Sequence, residues 1–206
     1  MSKKALVIWI SLFFGAAAAV GIYLHTQIQK GLEKKSHPET GSAHIGGYFS
    51  LRDLRGNLVT PEKFRGRYML IYFGYSFCPD ICPMGLDNMS DAIELLGEHA
   101  KKVQPIFITV DPGRDTHQQL DLYMQGFHNS FLALTGSQSD VTRAMKAYKV
   151  YAARVNDEGM GDYLIDHSSI VYFMGPNGKF ITHFTHKTPG HAIALKIREI
   201  IKEGNN

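Results

Sequence analysis

The sequence predicts an α/β domain in which helices flank a mixed central sheet, with a short appendage before the domain. Apolar runs typical of buried strands alternate along the chain with amphipathic segments of helical periodicity. Near the C-terminus a strand pair precedes a last helix, and this order is typical of a mixed sheet. The 206 residues, 44% of them hydrophobic, suit one domain with a sizeable core. The net charge of +3 is small and evenly spread, which argues against a nucleic acid partner.

The first half of the domain contains a hairpin, two strands and two helices. Arg55-Gly56-Asn57 supplies the turn of the hairpin between two short apolar segments. Residues 69–75 form a strand that is apolar on both faces, as expected of a central strand covered by helices. A helix over 84–99 is predicted by apolar side chains at helical spacing, at Leu86, Met89, Ile93 and Leu96. Residues 106–110 form a second buried strand, and a capping box of Thr116 and Gln119 begins the following helix.

The second half contains a short strand, a helix, a hairpin and the last helix. In chain order these elements cover 131–134, 137–149, 169–174 with 179–184, and 189–202. The helices are predicted by their amphipathic periodicity. The hairpin is predicted by Pro176-Asn177-Gly178, because Asn-Gly supplies the positive φ angles that a tight hairpin turn requires.

The appendage is predicted to be a membrane anchor at 1–25. No charged side chain occurs between Ala5 and Leu24, and about 20 helical residues span a hydrocarbon core of about 30 Å. An aromatic residue lies near each end of this run, where such rings favour the membrane interface. The small residues Ala16–Ala19 leave a cleaved signal peptide as the alternative.

We expect a polar, flexible tether at 26–44 and the α/β domain at 45–206. Lysines flank both ends of the apolar run, so the distribution of positive charge does not decide the orientation. An anchor so close to Met1 usually delivers the following domain across the membrane. No Arg- and Ser-rich presequence precedes the run, which favours a single-pass protein of the bacterial inner membrane with its soluble domain facing the periplasm.

The two cysteines of the chain, Cys78 and Cys82, are the most informative residues for function. Three residues separate them, at the junction between the strand at 69–75 and the helix that follows. Such a pair can be a redox dithiol, since a helix N-terminus stabilises a thiolate. It can equally be a soft-metal site, since thiolates select Cu(I), zinc and iron–sulfur centres. A structural disulfide is disfavoured because it would close too short a loop to remove much entropy from the unfolded chain.

His167 favours the metal interpretation. Thioredoxin-type oxidoreductases place two residues between their cysteines and carry a cis-proline before the facing strand, whereas Asp166-His167-Ser168 stands there in this chain. If the sheet places that strand beside the one that leads into the cysteine loop, the imidazole reaches over the sulfur pair. Two thiolates and one imidazole suit three-coordinate Cu(I), and an oxygen from Asp80 or Asp166 would complete a Cu(II) site or orient the imidazole. A histidine that merely caps the strand is the alternative.

Three motifs carry a resemblance to a known family. They are Gly74-Tyr75-Ser76-Phe77-Cys78-Pro79-Asp80-Ile81-Cys82-Pro83, Thr109-Val110-Asp111-Pro112-Gly113-Arg114-Asp115-Thr116 and Tyr163-Leu164-Ile165-Asp166-His167-Ser168. This combination resembles the Sco/SenC proteins, which are membrane-anchored, thioredoxin-fold, copper-binding proteins that help to assemble cytochrome c oxidase. One departure is Gly113, where the family more often has an acidic residue.

The resemblance implies a thioredoxin-like domain in which Cys78, Cys82 and His167 are the copper ligands. It implies binding of Cu(I) and Cu(II), loading by a copper-donor protein, and delivery of copper to the dinuclear centre of cytochrome c oxidase subunit II. The protein would then be a metallochaperone rather than an enzyme. The rival interpretation is a thiol–disulfide oxidoreductase that reduces the cysteines of that centre, and a peroxide-reducing thiol enzyme is a third.

Asp111, Arg114 and Asp115 follow the strand at 106–110 and are expected to lie near the site. They could dock a partner or adjust the charge of the cysteine loop. We favour a structural role, in which Asp115 caps a helix and Arg114 is its ion-pair partner. Tyr75 and Tyr163 could line the site, although aromatic residues at such positions more often serve in packing.

Overall fold

The computed structural model describes residues 44–156 and 163–204, together with Val20, Gly21 and Tyr23. The predicted anchor at 1–25 and tether at 26–44 lie almost entirely outside these residues. Within the part of the chain that the structure describes, no helix has the length and apolar character needed to cross a membrane. From His44 onward the chain forms a compact unit of its own.

Nine strands, four α-helices and two 3-10 helices are described in this unit. The strands are β1 (Leu51–Asp53), β2 (Leu58–Val59), β3 (Tyr68–Gly74), β4 (Val103–Thr109), β5 (Leu132–Thr135), β6 (Ala152–Asn156), β7 (Tyr163–His167), β8 (Ile170–Met174) and β9 (Phe180–Thr185). The α-helices are α1 (Ile81–Leu96), α2 (His117–Met124), α3 (Gln138–Tyr148) and α4 (Gly190–Glu203). The 3-10 helices are Pro61–Phe64 and Gly97–Lys102.

Seven of the strands form one mixed sheet in the order β2-β1-β5-β4-β3-β8-β9. The strands β3, β4 and β5 run parallel, whereas β8 pairs antiparallel with β3 and β9 pairs antiparallel with β8. The remaining strands, β6 and β7, form a separate antiparallel pair in which His167 lies opposite Ala152. The predicted α/β class with a mixed sheet is confirmed. The pairing of β8 with β3 meets the condition under which His167 was expected to reach the cysteine loop.

Helices cover both faces of the central strand β3, because successive strand residues point to opposite sides. On one side Tyr72 packs against Gly85 of α1, where an added Cβ would lie 3.1 Å from the tyrosine ring. On the other side the ring centroid of Phe73 lies 5.4 Å from that of Tyr148 in α3. The helices α1 and α4 also cross closely, since a Cβ on Gly190 would lie 2.8 Å from the backbone oxygen of Asn88 in α1. This packing buries every residue of β3 except the first, Tyr68, which is partly buried.

The predicted helices are confirmed, with boundaries shifted by a few residues. The first helix begins at Ile81 rather than at 84, so Cys82 lies in its first turn instead of in the preceding loop. The hydroxyl of Thr116 accepts a hydrogen bond from the amide of Gln119 at 3.2 Å, as the capping motif predicts. A complete capping box at Ser137 begins α3.

The strands β6 and β7 were not predicted from the sequence, and the prediction for one turn was wrong. In the turn between β8 and β9, Gly178 has a φ of 75°, but Asn177 does not have a positive φ. The Gly178 amide donates to the Gly175 oxygen at 2.8 Å, which makes Pro176 and Asn177 the central residues of a four-residue turn. Proline fixes φ near −65° at the first of these positions, so only the glycine that follows them needs the left-handed conformation.

Candidate metal centre

Cys78 and Cys82 lie where β3 runs into α1. The amide of Cys78 donates to the oxygen of Tyr75 at 3.3 Å, and Cys82 follows in the first helical turn. Cys82 is completely buried and Cys78 is 8% exposed, and both are free thiols. Cys78 therefore lies at the edge of the core, while Cys82 is enclosed by it.

Gly74, the last residue of β3, makes room for the inner sulfur. A Cβ at this position would lie 2.8 Å from Sγ of Cys82 and 2.9 Å from the ring of Phe107. Both distances are shorter than van der Waals contact, and neither neighbour lies at the end of a long flexible side chain. A residue larger than glycine would therefore displace the sulfur or the core.

His167 reaches the sulfur pair from the end of β7. Its Nε2 lies 3.2 Å from Sγ of Cys82, and its Nδ1 lies 3.2 Å from the backbone oxygen of Ser168. Because a carbonyl oxygen can only accept, Nδ1 is the donor and Nε2 presents its lone pair to the sulfur side. The rings of Tyr72 and Tyr75 lie edge-on to the imidazole, with centroids at 6.2 and 5.7 Å.

The three residues that were predicted from the sequence as metal ligands lie close together in the structure. The two Sγ atoms and an imidazole nitrogen of Cys78, Cys82 and His167 all lie within 4.8 Å of one another. Within 44–156 and 163–204, no other group of three His, Cys, Asp or Glu side chains has this geometry. Asp80 and Asp166 do not belong to the group, and the carbonyl of Ser168, not either carboxylate, orients the imidazole.

The two thiols differ in their affinity for the proton. A hydrogen bond from the Cys82 thiol lowers the pKa of Cys78 although burial opposes this. Burial raises the pKa of Cys82, and the neighbouring Cys78 sulfur raises it again. Of the two sulfurs, Cys78 is therefore the one that loses its proton more readily.

A cavity of about 330 Å³ opens beside the group. The cysteine loop forms one wall and the β6–β7 pair forms the other. Its lining residues are Tyr75, Cys78, Pro79, Asp80, Ile81, Val155, Leu164, Ile165, Asp166 and His167. The walls are largely apolar, so an ion held by the sulfur pair borders a surface that a partner protein can cover.

Two of the expectations for the β4–α2 loop are wrong. Asp115 does not cap α2, because its side chain is completely buried and accepts hydrogen bonds from Ser76 and Thr109, and Thr116 is the cap. Burial raises the pKa of the Asp115 carboxyl. The ion-pair partner of Arg114 is Asp111, with Nε 2.5 Å from the carboxylate, rather than Asp115. Arg114 and Asp115 both make contacts within the domain, but not the contacts that were predicted.

Sequence reasoning missed two residues that support the site. Ser76 donates its amide and its hydroxyl to Asp115, at 3.2 and 2.6 Å. The hydroxyl of Tyr75, considered only as a wall, accepts a hydrogen bond from the amide of Ile165 at 3.0 Å. No pattern in the sequence signals these contacts, because each joins residues far apart in the chain.

Comparisons with known proteins agree with this geometry. A family model described as SCO1/SenC matches residues 37–202. Protein sco1 of Schizosaccharomyces pombe is 40% identical over 195 residues, which cover 91% of this chain and 74% of that protein. The solved structure of Bradyrhizobium japonicum ScoI with copper bound is 36% identical, with a TM-score of 0.70, and covers 75% of this chain and 98% of that one.

A third similar protein is BsSco, described as having a disulfide switch and as a member of the Sco family of cytochrome c oxidase assembly proteins. Its structure is 26% identical to this chain, with a TM-score of 0.59, over 76% of this chain and 92% of that one. The structural likeness to these proteins confirms the predicted thioredoxin-like fold.

Proposed function

The chain belongs to the SCO1/SenC family, and from that premise we propose that it is a copper chaperone in the assembly of cytochrome c oxidase. The observation that carries the proposal is the convergence of Cys78, Cys82 and His167, whose ligand atoms lie within 4.8 Å of one another. The likeness to ScoI with copper bound supports copper as the ion. Copper is cargo here rather than a resident catalyst.

The donor set suits both oxidation states of copper. Two thiolates and one imidazole are the soft and borderline ligands that Cu(I) prefers, and three donors satisfy its low coordination number. Nε2 of His167 is available for the ion because the backbone of Ser168 accepts the proton on Nδ1. Cu(II) takes the same three donors and needs a further ligand.

We propose that the acceptor is the dinuclear copper centre of cytochrome c oxidase subunit II and that a copper-donor protein loads the site. The apolar cavity beside the sulfur pair supports transfer between docked proteins. A partner that covers it would exclude water while thiolates of the two proteins exchange the ion. Cys78 lines this cavity and Cys82 does not, so Cys78 is the sulfur that the partner meets first.

A thiol–disulfide oxidoreductase is the second candidate function, and the unequal thiols favour it. The Cys78 thiolate would attack one sulfur of a disulfide in subunit II and release the other as a thiol. Cys82 would then lose its proton and attack the mixed disulfide. The products are a Cys78–Cys82 disulfide and a reduced partner, so two electrons pass to the partner. The disulfide switch described for BsSco supports this alternative.

We also propose that residues 1–25 anchor the protein in the bacterial inner membrane by a single pass and that a tether at 26–44 leads to a domain at 45–206 facing the periplasm. The uncharged run between Ala5 and Leu24 supports the anchor. An oxidising compartment also suits a dithiol whose reduced state must be maintained by a partner.

The test of the chaperone is copper binding by the full chain and by His167→Ala. We expect one Cu(I) and one Cu(II) per chain for the unchanged protein. Removing the imidazole, a direct ligand, should weaken Cu(II) binding by more than the roughly 100-fold upper end typical of lost outer-shell residues, while the two thiolates retain Cu(I). Competition titration with a chelator of known affinity measures both constants.

His191→Ala is the matched control, because His191 is exposed in the first turn of α4 and belongs to no metal group among the described residues. It should bind both ions as the unchanged chain does. Equal Cu(II) affinity in His167→Ala and the unchanged chain would exclude the three-ligand site. Reduction of a subunit II disulfide by His167→Ala at full rate would favour the oxidoreductase.

A further inference from the structure

The strand pair that carries His167 is not hydrogen-bonded to the main sheet. Within the described residues β6 and β7 pair only with each other, and the seven-stranded sheet contains neither. The pairing of β8 with β3 brings the end of β7 near the cysteines, but no strand ladder joins β7 itself to the main sheet. Side-chain contacts therefore help to set the distance between the nitrogen and the sulfur pair.

The side chain of Arg114 contacts the first residue of β7. Its Cζ lies 3.6 Å from the ring centroid of Tyr163, the first residue of the strand. Its Nη1 also donates to the backbone oxygen of Tyr163 at 2.8 Å. The guanidinium thus holds both the ring and the main chain of the residue four positions before His167. A planar group with several donors can do both at once, whereas an ammonium cannot.

The same guanidinium contacts the loop that carries the cysteines. Its Cζ lies 4.9 Å from the ring centroid of Phe77 and 5.7 Å from that of Tyr75, the residues that precede Cys78. Cations at such distances from an aromatic ring are attracted by its electron-rich face. One side chain therefore lies against both elements that carry ligand atoms.

Arg114 is itself held in place. Its Nε lies 2.5 Å from the carboxylate of Asp111, whose side chain is 1% exposed. The hydroxyl of Tyr163 donates to that carboxylate too, at 2.9 and 3.0 Å. The next residue, Asp115, fixes the base of the cysteine loop through Ser76. Arg114 and Asp115, which are consecutive in one loop, thus hold the two elements that carry the ligands. Arg114 contacts β7, which carries His167, and Asp115 accepts hydrogen bonds from the loop that carries Cys78.

We infer that Arg114 is a positioning residue that holds the imidazole of His167 at bonding distance from the sulfur pair and so sets the affinity for Cu(II) relative to Cu(I). The inference rests on the proposed copper function. Cu(I) is held adequately by two thiolates, so it tolerates a displaced imidazole. Cu(II) is a harder ion that needs the nitrogen, so its affinity depends on where β7 lies.

The test compares the full chain with Arg114→Met, which keeps an unbranched apolar side chain and removes the charge and the donors. We expect Cu(II) affinity to fall by about 10- to 100-fold, as for other residues that orient a ligand, with Cu(I) affinity unchanged. The electron paramagnetic resonance spectrum of the Cu(II) form should lose part of its nitrogen hyperfine coupling. A merely structural residue would weaken both oxidation states and leave the nitrogen signal of the bound fraction intact.

Arg143→Met is the matched control, because Arg143 is an exposed arginine of α3 paired with Asp140. It should match the unchanged chain in both affinities. Arg114→Lys keeps the charge beside Asp111 but cannot hold both the ring and the carbonyl of Tyr163, so a smaller loss of Cu(II) affinity is expected. This variant carries the test if Arg114→Met does not fold.

Unchanged Cu(II) affinity and nitrogen coupling in the folded Arg114 variant would overturn the inference. A parallel loss of Cu(I) and Cu(II) affinity would also overturn it, because that result assigns Arg114 to stability alone. If the unchanged chain binds no copper, or binds it without nitrogen coupling, the proposed function itself fails. The two failures are therefore distinguishable.

Discussion

The sulfur of Cys82 occupies space that Gly74 leaves open. The backbone of Gly74 has no positive φ that would itself demand glycine, so the constraint at this position is one of volume. At the scale of single residues, then, the ligand set depends on a residue with no side chain as well as on the three that bind. The sequence placed Gly74 in a buried strand but could not indicate which atom would fill the space beside it.

Gly74→Ala is predicted to disturb the site and the core together. The added methyl group must displace Sγ of Cys82 or the ring of Phe107, and overpacking of this kind costs about 1–3 kcal/mol of the free energy of unfolding. Urea unfolding of the copper-free chain should show this loss, and chelator competition should show weaker binding of Cu(I) as well as Cu(II).

Gly126→Ala is the control for that substitution, since Gly126 is exposed and an added Cβ would approach other atoms no more closely than 3.5 Å. It should leave the unfolding midpoint and both copper affinities unchanged. If Gly74→Ala behaved in the same way, the inner sulfur would not be confined as the structure describes.

The β6–β7 pair is the element that decides whether the ligands meet. It carries His167, forms one wall of the cavity, and is tied to the rest of the domain by Arg114 and by the hydroxyl of Tyr75. His167 was predicted from the sequence as a ligand, but the strands β6 and β7 were not predicted. Ala152–Asn156 is short and mixed in character, and neither strand joins the main sheet, so neither shows the long apolar run by which β3 and β4 were predicted.

Tyr75→Phe is predicted to weaken the attachment of the β6–β7 pair to the rest of the domain. The substitution keeps the buried ring but removes the oxygen that accepts from the amide of Ile165, which is then a buried donor without a partner. Such a loss costs about 1–3 kcal/mol. Hydrogen exchange should show faster exchange of the Ile165 amide and its neighbours in β7, with little change in β3.

Tyr151→Phe serves as the control because Tyr151 adjoins β6 and is 58% exposed. Its exchange pattern should equal that of the unchanged chain. Equal protection of β7 in Tyr75→Phe would show that the hydroxyl does not tie the strand pair to the domain.

At the scale of the whole molecule, the site is assembled from two parts of the fold that are far apart in the chain. The buried strands, the helix caps and the final hairpin were predicted because each leaves a local pattern of periodicity or turn residues. His167 was predicted as a ligand because it precedes β8. The pairing of β8 with β3 brings His167 near the cysteines. The contacts of Arg114, Asp115 and Tyr75 could not be predicted, because they depend on three-dimensional packing and have no periodic signature.

X-ray absorption at the copper edge, measured on the full chain loaded with one equivalent of Cu(I), tests most directly whether the two sulfurs and the imidazole share one ion. If Cys78, Cys82 and His167 bind one ion, the first coordination shell contains two sulfur atoms and one nitrogen, with the outer-shell scattering of an imidazole ring. A shell of sulfur alone, or one in which a sulfur is missing, would contradict it.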